Sequence, residues 1–159
     1  MLSELSAELF AAAEVTPKKM LGYDCIIFGG RLFATGIDGL SLIKKNFERL
    51  VSKRLIVFAA GASLPSETVL NEIKNNNLSI EQQSCIKVFY LRGGFHYNSL
   101  SLFDKLLLSL LKKSIMRKQR QGKSLTSDEA GMLELYEKTA DFTKKEHIQG
   151  VLDAACMPF

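Results

Sequence analysis

Three short apolar runs divide the chain: Tyr23–Phe28, Arg54–Ala60 and Ile86–Leu91. Each passes into small or glycine residues before helical periodicity begins. Unbroken apolar runs of this length predict parallel strands buried on both faces, since a half-solvated strand would alternate. The first run reads YDCIIFGG and leads into a glycine-rich loop, Gly29–Gly39. Leu40, Ile43, Phe47, Leu50 and Val51 then fall on one helical face, with Asp38 as the candidate cap. The second run ends at Gly61–Ala62–Ser63. Pro65 and Ser66 open a helix toward Lys74, which Asn75–Asn77 is expected to break. The third run ends at Arg92–Gly93–Gly94, and Leu100–Arg120 is a long amphipathic helix. Gln121–Ser124 interrupts the chain. Thr126 with Glu129 and Thr143 with Glu146 are capping-box spacings for helices to about Lys138 and Cys156. Ser6–Val15 is ambiguous between helix and strand.

Strands alternating with helices call for a parallel sheet covered on both faces, joined by right-handed crossovers. Ligands of such sheets sit outside the carboxyl ends of the strands. Those ends are Gly29–Thr35, Ala60–Ser63 and Arg92–Tyr97, and glycine there lets a backbone approach a ligand closely.

Composition narrows the class. The 159 residues are 47% hydrophobic and 24% charged, which suits one globular domain spanning 1–159. The net charge of +4 is uneven, because Lys105–Lys123 holds seven Lys/Arg and no acid. Cys25, Cys85 and Cys156 lie far apart without a CxxC, which argues for a reducing compartment and against a zinc or other metal site. No basic region followed by an apolar segment marks a signal peptide, and the longest apolar stretch, Leu106–Leu111, is too short for a bilayer. A cytoplasmic protein is the expectation.

The segments YDCIIFGG with GIDGLSLIKKNF, KRLIVFAAGAS, and CIKVFYLRGGFHYNSLSLFDKLLLSLLKK together resemble the flavodoxin-like family. The last is most similar to the branch that includes the quinone-linked protoporphyrinogen dehydrogenases. The resemblance implies a three-layer α/β/α sandwich and an FMN-associated electron-transfer protein or oxidoreductase. In that family one loop grips the flavin phosphate and two more enclose the ring. By resemblance, the ring loops here are Gly29, Gly30, Arg31, Leu32, Phe33, Ala34, Thr35 and Gly36, with Phe33 stacking, and Ala60, Gly61, Ala62 and Ser63. The phosphate loop and first strand have no counterpart, and Ser6–Val15 corresponds to the second strand. This weakens FMN capture, whose anchor is an amide cradle. It also supports a rival reading, a non-catalytic flavodoxin-like structural or binding module. The missing strand would leave an unpaired sheet edge. A second copy of the chain, a shifted Ser6–Val15 or another polypeptide could fill it, and a homodimer is expected.

Individual residues carry bland alternatives. Gly29 and Gly30 also serve plain turns, Phe33 could simply cover the sheet end, and Arg31 could be a solvated charge. His96 lies near the expected ligand edge, where it could transfer a proton, but reads more readily as a surface histidine, and His147 as an exposed structural one. No catalytic set converges in the sequence. The segment Leu100–Lys123 packs on the sheet with a solvated basic end, or meets an anionic membrane surface. The modest net charge and absence of an aromatic-basic motif argue against nucleic acid.

Overall fold

The computed structural model describes residues 7–33, 36–95, 102–125, 133 and 140–157. They form two compact units, Met1–Gly61 with Pro65–Leu91 and Lys144–Phe159, and Ala62–Leu64 with Arg92–Thr143.

The first unit carries a four-stranded, mostly parallel sheet. Its strands are β1 (Cys25–Phe33), β2 (Gly36–Ile37), β3 (Arg54–Gly61) and β4 (Ile86–Arg92), in the order β2-β1-β3-β4. β1 and β3 are parallel, with Cys25 opposite Arg54 and Phe28 opposite Val57. β2 folds back antiparallel on the end of β1, pairing Leu32 with Ile37. The helices are α1 (Pro17–Leu21), α2 (Ser41–Lys45), α3 (Phe47–Leu50), α4 (Glu67–Asn77), α5 (Ile80–Cys85) and α7 (Gln149–Cys156). The second unit holds α6 (Leu102–Arg120) and a small antiparallel pair, β5 (Gly94–Phe95) with β6 (Ala140–Asp141).

β3 shows why the strand sequences are continuously apolar. Leu55, Val57 and Ala59 enter one core cluster with Phe28, Ile43, Leu50, Val69 and Ile73. Ile56 and the half-buried Phe58 enter a second cluster with Val151 and Ala154. The α2–α4 segment lies behind the first cluster and α7 behind the second, so neither face can be polar. Ile56 is fully buried, and its truncation to Ala would cost about 3 kcal/mol.

Several expectations are corrected. The glycine-rich segment is not a loop over Gly29–Phe33: β1 runs on through it and turns back as a hairpin. Asp38 caps no helix. α2 begins after Leu40 without a side-chain cap, and Asp38 instead pairs with Arg31. The expected single helix over Leu40–Val51 breaks at Asn46, whose side-chain amide donates to Leu42 O at 2.8 Å. α4 ends within Asn75–Asn77 as expected: its last residue is Asn77, which is buried and satisfied. Its Nδ2 donates to Ile73 O at 2.8 Å, and its Oδ1 accepts from Ile37 N at 2.9 Å.

Residues 7–15 form no strand; Ala12–Glu14 is a 3-10 turn. Thr143 and Glu146 form no capping box. Thr143 N donates to Asp141 Oδ1 at 2.9 Å, a 3-10 turn occupies Lys145–Ile148, and α7 follows. α5 was not anticipated, although Ser79 with Gln82 is a complete capping box visible as S-x-x-Q. The helix expected from Thr126 to about Lys138 lies outside the described residues apart from 133.

Candidate functional site: the carboxyl end of the sheet and the exposed face of α6

The carboxyl end of β1 is built by a hairpin. Arg31 O accepts the Asp38 N–H at 2.9 Å, and Arg31 Nε lies 3.0 Å from Asp38 Oδ2. The Arg31 guanidinium also stands 5.3 Å from the centre of the Phe33 ring, which is 43% exposed. Both charges of the pair are solvated, so the contact contributes at most about 1 kcal/mol. It does hold Arg31 in a partnered geometry beside the hairpin.

The glycines have a different role from the expected one. A Cβ on Gly29 would collide with the Phe58 ring, and one on Gly30 would come within 2.7 Å of Asp38 O. A Cβ on Gly61 would lie 2.8 Å from Tyr90 Oη. The absent side chains are thus replaced by the protein's own rings and backbone. Gly29 and Gly30 also belong to a strand whose β3-side bonds are made. Gly29 itself stays exposed, with the Phe58 ring on the side where a Cβ would stand. Leu32 is half-buried in the β1–β2 pair, Gly36 belongs to β2, and Ala60 is half-buried just past Ala59, the last buried residue of β3. Ala34 and Thr35 lie outside the described residues.

Ala62 and Ser63 belong to the second unit. There Arg92 Nε donates to Ala62 O at 3.1 Å, and the Arg92 guanidinium sits 3.5 Å from the centre of the Phe142 ring. Ser63 is also engaged. His96 lies outside the described residues, and His147 is exposed in the 3-10 turn before α7. Among the described residues no three His, Cys, Asp or Glu side chains gather where they could hold a metal ion.

Two groups have displaced acidities. Burial pushes the Cys25 thiol up, with the nearby Arg54 charge pulling the other way. The Tyr23 hydroxyl donates to Glu8 Oε2 at 2.6 Å, and this bond raises its pKa. Phe10 packs edge-on against Tyr23, and Lys19 lies 3.4 Å from the Phe10 ring centre.

The largest unexplained feature is α6. Successive helical residues advance by 100°, so Leu102, Leu106, Leu110, Leu107 and Leu111 share one broad arc. All five are exposed, Leu102 to 86% and Leu106 to 56%. Lys105, Leu108, Ser109, Lys112 and Ile115 occupy the opposite arc, where exposure falls to 2% at Ile115. Past Leu111 the outward arc changes character, carrying Lys113, Arg117, Lys118 and Arg120, all exposed. The sequence revealed the helix and its charge. That leucines populate both arcs, with five turned outward, was missed, though a helical projection of residues 102–111 contains it. No helix among the described residues is long and apolar enough to cross a membrane. Compared with known protein families, curated proteins and solved structures, the chain matches none.

Proposed function

We propose that this chain is a flavodoxin-like α/β module that works by docking to an anionic lipid surface through α6, and not by flavin chemistry. The carrying observation is the outward arc of α6, on which five exposed leucines pass into Lys113, Arg117, Lys118 and Arg120. Exposed apolar side chains on one helical face are costly in water and gain when they enter the headgroup–acyl boundary. A basic cluster on the same arc adds roughly 1 kcal/mol per residue near an anionic leaflet. The acid-free run Lys105–Lys123 fits that surface in charge.

The flavodoxin-like part of the reading draws support from the strand order β1-β3-β4 and the parallel β1–β3 pairing. The non-catalytic part draws support from Phe58 and Tyr90, which occupy the space above Gly29 and Gly61.

Cosedimentation with vesicles tests the proposal. The full chain should pellet with anionic vesicles at low salt and be released at high salt, since the charge term is screened. Equal pelleting with neutral vesicles, or none with either, would overturn it.

A further inference from the structure

Among the described residues, the sheet has an open edge along most of β1. Asp24 O accepts the Arg54 N–H at 2.9 Å, so Asp24 faces β3, whereas Arg31 O faces the hairpin through Asp38 N. In a strand paired in parallel, both backbone groups of one residue point to the same side, and the sides alternate. Ile26, Phe28 and Gly30 therefore address β3, while Cys25, Ile27 and Gly29 turn their N–H and C=O outward. β2 reaches only Leu32 and Phe33 in register, and among the described residues no strand lies along Cys25–Gly29 on that side.

Exposed edges are normally guarded by lysine, proline or an inward charge. Cys25–Gly30, read CIIFGG, has none of these. The window is also bounded. The hairpin closes one end, and at the other Tyr23 N is turned away to Met20 O at 3.2 Å.

We infer that this edge is an interface between two copies of the chain, which pair their β1 strands antiparallel about a two-fold axis through Ile27. That register sets Ile27 opposite its mate and Cys25 opposite the mate's Gly29, so each facing pair exchanges both N–H···O bonds. Every outward group of the window is then satisfied. The half-buried Cys25 and Ile27 side chains already pack against the cluster of Ile56, Val151 and Ala154, and the two-fold joins that cluster to its copy. Charge agrees as well. Asp24, 88% exposed and 3.9 Å from Lys53 Nζ, marks one end of the window, and Arg31, 63% exposed and paired with Asp38, the other. Antiparallel pairing brings the unlike ends together. The closed ends limit the assembly to a dimer and prevent an open fibre.

Sedimentation of the full chain across the micromolar range, with amide exchange on the same samples, tests this inference independently of lipid. A monomer–dimer equilibrium is expected. Protection of the Cys25, Ile27 and Gly29 amides should rise with the dimer fraction, while Ile26 and Phe28 stay protected throughout. Ile27→Pro deletes an outward N–H and no bond to β3, and should weaken dimerisation about tenfold or more. If that variant does not fold, exchange on the unaltered chain still decides. A monomer at every concentration overturns the proposal. So does a dimer in which the three amides exchange freely, or a monomer in which they are protected.

Discussion

The Phe58 ring lies over the backbone of Gly29, filling the position a Cβ would take, and so joins adjacent strands on the face covered by α7. Gly29→Ala should therefore destabilise the fold by about 1–3 kcal/mol, through overpacking. Phe58→Leu should relieve much of that penalty when combined with it. Denaturation midpoints of the two single variants and the double variant measure the coupling. Simple additivity would show that the ring and the glycine do not compete for space.

The same packing makes a prediction about flavin. Purified protein titrated with FMN should show no perturbed flavin absorbance and no quenching of flavin fluorescence, because Phe58 and Tyr90 occupy the approach to Gly29 and Gly61. Saturable quenching would contradict the docking reading.

Asn77 ties α4 to β2 by accepting the Ile37 N–H while donating to Ile73 O. Asn77→Leu leaves that amide without its partner in a buried setting and should cost about 2–3 kcal/mol. The loss should appear in the denaturant midpoint with the slope unchanged. A change below about 0.5 kcal/mol would mean that the bond is replaced by solvent.

Alkaline pH should destabilise the fold through two groups. Cys25 and Tyr23 both hold their protons more tightly in the folded chain than in the unfolded one. Their contribution is thus complete below the unfolded values and is lost as pH rises through the folded ones. Stability should fall from about pH 8.5 upward, and Cys25→Ala should flatten the early part of the decline. A midpoint that stays constant up to the tyrosine range would refute the role of Cys25.

The strands were legible because β1, β3 and β4 send side chains into core clusters on both faces, leaving nearly continuous apolar runs. The role of Gly29 and Gly61 was not legible. A glycine that admits a ligand and one that admits a phenyl ring are identical in sequence, and Phe58 lies 29 residues from Gly29. The continuation of β1 through Gly30 and Arg31 was hidden by the same glycines, which read locally as a loop while β3 supplies the hydrogen bonds that keep them extended. Asn77 does end α4, as its turn preference suggests, but its two buried hydrogen bonds exist only in the folded chain and were not legible. In α6 the leucines mark two stripes, and which one faces outward depends on packing that the sequence does not encode locally.

A polarity-sensitive dye on a single cysteine at position 107 tests the central claim most directly, using Leu107→Cys in a chain whose three native cysteines are replaced. Anionic vesicles at low salt should shift its emission to the blue, and high salt should reverse the shift. The same dye at Ser41→Cys, on the exposed start of α2, should not respond. An unshifted spectrum at 107, or equal shifts at both positions, would contradict docking through the leucine arc of α6.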